Sequence, residues 1–364
     1  MSSQRPSPIR HPTSDIRQGP SRWSHGLAWA LVCGTFPLVF VGGLVTTYGA
    51  GMAVPDWPST FGYWVYYPLR SWIAVQDVFL EHGHRVLGQI VGVLTIALAI
   101  VLWRSDPRRF VRWLGLTAVL GVVVQGTLGG LRVIGNDVLL ADVHGCVAQL
   151  FFALAAALVT LTSRAWHAAR PAAYAETSGL RTSPITAPAR PGGPAGLSCR
   201  QVLGPALKRT TAGMAVLVYV QVVLGAQLRH LLRDASPVWF VVWVWLHLIV
   251  AGLAAGGAIG LWLWIRRRFS GMARPRRRAA LLAVLLEVQI VLGALTWLTN
   301  YGWPEWAADY IWPLNYTVCT GGWQQIVATT SHVAAGSLSL VTAVSLALWA
   351  WRPEDAEPRA APNP

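Results

Sequence analysis

Eight stretches of about twenty apolar residues run through this chain, each long enough to cross the roughly 30 Å hydrocarbon layer of a bilayer. They fall near residues 27–46, 82–103, 113–131, 143–162, 210–228, 240–264, 279–298 and 327–350. Lipid offers the backbone no hydrogen-bond partners, so spans of this length close their bonds within helices. Composition agrees: 54% of the residues are hydrophobic and 12% charged, about half the charged share of a soluble domain. The expected fold is an all-α polytopic membrane protein with eight transmembrane helices.

Between the fourth and fifth spans lies 163–209, rich in Pro, Ala, Gly, Ser and Thr. Such a composition cannot bury a core, and it marks a cytoplasmic linker between two four-helix halves, 27–162 and 210–350. The ends are expected to be cytoplasmic tails, 1–26 disordered and 351–364 short. No apolar stretch precedes Leu27, so no cleavable secretory signal is expected.

The net charge of +14 does not point to nucleic acid, because the basic residues sit in short runs between apolar segments rather than in a basic, aromatic-interleaved domain. Of the 29 basic residues, only Arg70, Arg132, Arg229 and Arg233 fall in one set of alternate loops, and Arg85 lies within a span. The rest crowd the tails, the 104–112 connection, the central linker and the 266–278 loop. By the positive-inside rule both termini are cytoplasmic and the sparsely charged loops face outward. The four cysteines form no framework. Cys33 and Cys146 lie in apolar segments, Cys199 in the linker and Cys319 in a loop, with no C-x-x-C to suggest zinc or a dithiol.

The two halves are copies of one pattern. Gln125-Gly-Thr-Leu-Gly-Gly130 in the third span matches Gln289-Ile-Val-Leu-Gly-Ala294 in the seventh, and Gln221-Val-Val-Leu-Gly-Ala226 repeats it in the fifth. Gly42-Gly43 stand at the equivalent place in the first span. The glycines read as small residues that let helices approach, and the glutamines as interhelical hydrogen-bonders, with ligand contact the second reading.

Nine histidines are present. His11, His25 and His167 lie in polar segments, His230 at an outer span end, and His82 reads as interfacial. The remaining four, His84, His144, His247 and His332, each lie near the start of an even-numbered span and so share one side of the membrane. In an up-down-up-down bundle the second and fourth helices are diagonal neighbours across the core. His84 then faces His144, and His247 faces His332, each pair suited to the two axial positions of heme iron. One membrane histidine is most simply an interhelical hydrogen-bonder; four at repeat-related positions argue for metal ligation.

The halves differ at one point. Glu81-His-Gly-His84-Arg85 in the first half corresponds to Val244-Trp-Leu-His247-Leu248 in the second. At i, i+3 Glu81 shares a helical face with His84, placing a carboxylate beside one site only. The plain alternative is an exposed Glu81–Arg85 ion pair at i, i+4. Arg70, Arg85 and Arg132 are expected on the outer side, where guanidinium groups match carboxylates such as heme propionates.

At this point the chain resembles the heme A synthase family over roughly 27–350. The resemblance rests on eight spans in two halves, E-x-x-H-R in the second span, and histidines opening the fourth, sixth and eighth. Gly42-Gly-Leu-Val-Thr-Thr47, Gly49-Ala-Gly-Met52 and Asp56-Trp-Pro58 extend it into the first external loop. The resemblance implies oxidation of the C8 methyl of heme O to a formyl group, through the alcohol and a hydrated aldehyde, making heme A for cytochrome oxidase. It implies that His84 and His144 hold substrate heme O beside Glu81, with Arg85 at the cofactor, and that His247 and His332 hold a heme b that passes electrons. Implied partners are a heme O synthase, an electron carrier, membrane lipid and further copies of the chain in a homo-oligomer. The implied location is a bacterial inner membrane. Many members carry a cysteine pair in the first external loop, where this chain has Ala53, Val54, Pro55 and Thr60, so no disulfide is expected there. Two competing readings remain at this level. A diheme cytochrome b that only transfers electrons explains the histidines but not Glu81, and a tandem-repeat transporter predicts no heme at all.

Overall fold

The computed structural model describes residues 21–64, 67–167, 199–230, 236–269, 272–303, 318 and 320–352. Among these, every regular element is helical: α1 (Arg22–Thr47), α2 (Leu69–Ala74), α3 (Gln76–Ser105), α4 (Arg109–Gly135), α5 (Val138–Thr162), α6 (Arg164–His167), α7 (Cys199–His230), α8 (Pro237–Arg268), α9 (Ala273–Tyr301) and α10 (Trp323–Trp351). Eight of these, all but α2 and α6, are long and apolar enough to cross a membrane, and the chain is an integral membrane protein.

Local chemistry sets several of the boundaries. Ser21 caps α1 by accepting from the Trp23 N–H, so the first helix begins inside the segment expected to be a tail. Asn136 ends α4 in the left-handed conformation, and Asp137 caps α5 through the Leu140 N–H. That two-residue turn returns α5 antiparallel to α4. At the other end of the bundle, Asp106 and Arg108 form a two-pronged ion pair in the α3–α4 turn.

Two helices begin well before the expected spans. The second span begins at Gln76 rather than 82, because Asp77, Glu81 and His82 lower the hydropathy of a turn that nonetheless stays helical; α2 precedes it. Glu81 is therefore more than one turn inside a helix. The fifth span reaches back to Cys199, into the expected linker, through a stretch whose Arg, Gln, Leu and Lys are good helix formers. Residues 168–198 of the linker, most of the tails, His11, Arg233 and Cys319 lie outside the described residues.

Each half closes into a ring. In the first, α1 packs on α3, α3 on α4, α4 on α5 and α5 on α1; in the second, α7, α8, α9 and α10 do the same. Diagonal pairs are held apart. The halves meet through α1 and α5 on one side and α7 and α10 on the other. In the apolar windows of α5 and α10, 61% and 50% of residues are buried, against 11–28% for the other spans. These two helices form the centre of the molecule, where Ala155, Ala156, Gly336, Ser337 and Ser339 allow close packing.

The packed cores lie toward one end of each ring. Leu31, Leu98, Leu102, Val111 and Leu158 fill the first half, and Leu261, Ile265, Leu282 and Leu346 the second. Toward the end that carries the histidines the rings open into a cavity.

Candidate functional site

One continuous cavity of about 1,920 Å³ is lined by residues of both halves, including His84, His144, His247, His332 and Glu81. Ordinary small-molecule pockets run to roughly 300–1,000 Å³, so this space suits more than one large ligand.

The four histidines come together as two facing pairs. His84 on α3 and His144 on α5 have ring centroids 6.4 Å apart at an interplanar angle of 76°, and His247 on α8 and His332 on α10 are 6.3 Å apart at 69°. A metal–nitrogen bond of about 2 Å on each side plus the ring radii adds up to about 6 Å. Each pair thus has the separation that two imidazoles need to share one metal atom. Among the described residues no three His, Cys, Asp or Glu side chains gather as a protein-only metal cage. Two imidazoles facing across a gap complement a metal whose other positions are filled by a macrocycle.

Every histidine is seated against a glycine of the preceding span. A Cβ added to Gly42 would stand 2.9 Å from Cε1 of His84; at Gly129, Gly225 and Gly293 it would stand 3.2 Å from Cε1 of His144, His247 and His332. These are the repeat glycines. Their role is to admit an imidazole flush with a helix backbone, which sequence reasoning missed, although the recurring Gln-x-x-x-Gly spacing was the signal. Gly42→Ala is expected to cost about 1–3 kcal/mol by overpacking. Gly126→Ala, on the same helix as Gly129 but with nothing within 4 Å, is expected to cost none of it. Thermal unfolding in detergent checks both.

Unpartnered polar atoms concentrate in the same space. Buried side-chain nitrogens and oxygens without a hydrogen-bond partner among the described residues include both amide atoms of Gln125 and Oε1 of Gln149, Gln221 and Gln289. All of these residues line the cavity. Native proteins leave few such groups, so their clustering marks a binding site. The repeat glutamines divide accordingly. Gln221 reaches the His247 ring, at 3.1 Å from Nδ1, as an interhelical contact, whereas the Gln125 amide has no partner among the described residues.

Glu81 is 2% exposed and lies beneath the loop that follows α1. Its Oε2 accepts from the Val54 N–H at 2.9 Å and its Oε1 from Arg85 Nη2 at 2.9 Å. Arg85 also donates to the carbonyls of Val54, Asp56 and Ser59 at 2.7–2.9 Å. The Glu81–Arg85 pair is thus buried, not the exposed surface pair that was the plain alternative. Both terminal nitrogens of Arg85, expected at a propionate, are engaged by the loop. Arg70 is exposed on α2, while Arg132 faces the cavity and donates to Gly51 O at 3.2 Å.

Asp56 organises the same loop. Burial pushes its carboxyl up, but hydrogen bonds from Gly62 N, the Ser59 hydroxyl and Phe61 N prevail and hold it at about 2. Trp57 lies flat on Gly130, where a Cβ would come within 2.2 Å of the indole. This residue, adjacent to the seat of His144, lines the first-half end of the cavity together with Thr60. His82 is fixed on the same loop by Thr60 Oγ1 at 3.1 Å and packs edge-on against Trp72.

Fold and site define an eight-span helical membrane protein with two paired-imidazole sites on one cavity. Residues 25–308 match the family model described as cytochrome oxidase assembly protein (COX15-CtaA), and the chain belongs to that family. Among curated relatives, the chain is 27% identical over 233 residues to "Heme A synthase" of Symbiobacterium thermophilum, covering 59% of this chain and 68% of the relative. It is 32% identical over 141 residues to "Heme A synthase" of Shouchella clausii, covering 38% of this chain and 44% of the relative. A third "Heme A synthase", from Listeria monocytogenes, is 32% identical over 140 residues, covering 37% and 43%. The chain thus spans less than half the length of the Shouchella and Listeria relatives and about two thirds of that from Symbiobacterium.

Proposed function

We propose that this protein is a heme A synthase, an oxidoreductase that converts the C8 methyl of heme O to a formyl group. The observation that carries this reading is the asymmetry of two otherwise equivalent histidine pairs. Only the first has a buried carboxylate on its own helix, Glu81, where the second has Val244 at the repeat-related position. A protein that merely relays electrons has no use for that difference.

In this reading His84 and His144 hold the substrate heme O, with Gly42 and Gly129 fixing the height of each ring. His247 and His332 hold heme b, which supplies one-electron transfer when bound. Val54 N–H and Arg85 hold the Glu81 carboxylate in a fixed orientation, from which it can accept a proton or stabilise positive charge developing at the methyl carbon. The loop pinned by Arg85 and Asp56, with Trp57 against Gly130, restricts water at that end. A heme O synthase and an electron carrier are the partners this chemistry requires, and association of several copies is compatible with it.

Expression beside a heme O synthase, in cells that make no heme A, tests the proposal. Heme A should appear in extracted membranes. Unconverted heme O, in cells where the chain is inserted and holds pigment, would contradict it.

The orientation proposed has both termini cytoplasmic and the cavity toward the outer side of a bacterial inner membrane. A reporter fused within 163–209 should be cytoplasmic and one within 299–326 external. The reverse result would overturn the charge argument.

A further inference from the structure

Arg229 is a half-buried cation that the proposed chemistry leaves without a task. It lies at the end of α7, lines the cavity, and sits one helical turn beyond Gly225, the seat of His247. Its Nη2 donates to Gly43 O at 2.7 Å and to the Thr47 hydroxyl at 2.6 Å, across the boundary between the halves. Thr47 in turn meets the Thr330 hydroxyl at 3.4 Å, two residues before His332. Arg229 belongs to neither the Arg85–Glu81 nor the Arg108–Asp106 ion pair.

A guanidinium inside a membrane protein is costly and ordinarily finds a counter-charge. Both neighbours of Arg229 are neutral oxygens and engage only Nη2. The Nε and Nη1 donors make no hydrogen bond to the described residues, and this fork is the geometry that accepts a carboxylate in two parallel bonds. Arg132, on α4 of the first half, likewise lies about one turn beyond a seat glycine, Gly129. Each half therefore has one seat helix with an arginine a turn past its glycine. Arg229 is also within electrostatic reach of His332.

We propose that Arg229 is a carboxylate-binding residue, receiving an acidic side group of the tetrapyrrole held between His247 and His332 while its Nη2 ties that site to α1 beside the seat of His84. The proposal rests on the heme reading of the histidine pairs. It assigns the second site a preference for a tetrapyrrole with free carboxylates.

The test uses the full chain purified in detergent from heme-deficient cells, with His84→Ala to silence the first site. Ferric heme b and its dimethyl ester are titrated separately and followed by absorbance. The free acid should bind about tenfold tighter than the ester, the scale of one charge-assisted contact at about 1.4 kcal/mol. Arg229→Gln should remove the difference by weakening the acid alone, and Arg229→Lys should restore part of it. Retention of the full preference in Arg229→Gln would overturn the proposal. Equal affinities in the chain with Arg229 intact would also overturn it, whether or not the variants fold, and would be the outcome if Arg229 served a lipid headgroup. Failure of the underlying heme reading looks different: neither compound would give a paired-imidazole spectrum.

Discussion

Replacing His247 or His332 by alanine is expected to remove the heme b contribution to the low-spin absorption of the purified protein, leaving only that of pigment held by His84 and His144. The two rings face each other at 6.3 Å on α8 and α10, the diagonal helices of the second half. Deleting either imidazole removes one of the two axial donors of that pair. Both rings border a cavity rather than a packed core, so truncation should leave the bundle folded. Absorbance spectra of the oxidised and reduced variants decide the matter. An unaltered low-spin spectrum in both would reduce these histidines to packing residues.

Glu81→Gln is expected to stop heme A formation while heme binding persists, leaving heme O or a hydroxylated product in the extracted pigment. The substitution keeps the size of the side chain but removes its charge and proton exchange. It also disturbs the loop, because Glu81 accepts two hydrogen bonds and an amide oxygen at one position cannot accept both. Removing one member of a buried pair can cost about 3–5 kcal/mol. Arg85→Gln separates the two effects, since it breaks the same clamp without removing the carboxylate. If Glu81 serves the chemistry, Arg85→Gln should retain reduced heme A formation where Glu81→Gln retains none. Equal losses would make Glu81 a loop anchor, and near-normal heme A in Glu81→Gln would remove it from the chemistry altogether.

The elements most legible in the sequence were those set by one physical constraint at a time. Eight spans follow from apolar length, and the facing histidines from helix order, because α3 and α5, like α8 and α10, must sit diagonally once the rings close. What stayed hidden depends on groups distant in sequence. Gly42, Gly129, Gly225 and Gly293 looked like helix-contact residues, since nothing local reveals that an imidazole lies against each. Glu81 was seen as important, but its partner Val54 comes from a loop 27 residues earlier. The charge of Arg85 suggests a ligand contact, whereas the three loop carbonyls around it come from residues 26–31 positions earlier. Arg229 counted as a topological charge until its contact with α1 was visible.

Chromatography of hemes extracted from the purified full chain, expressed beside a heme O synthase, bears most directly on the heme A synthase reading. Heme b together with heme O, heme A or both is expected, one pigment class for each histidine pair. Heme b alone, filling both pairs, would identify an electron carrier and contradict the account, and a preparation without heme would contradict the histidine assignment as well.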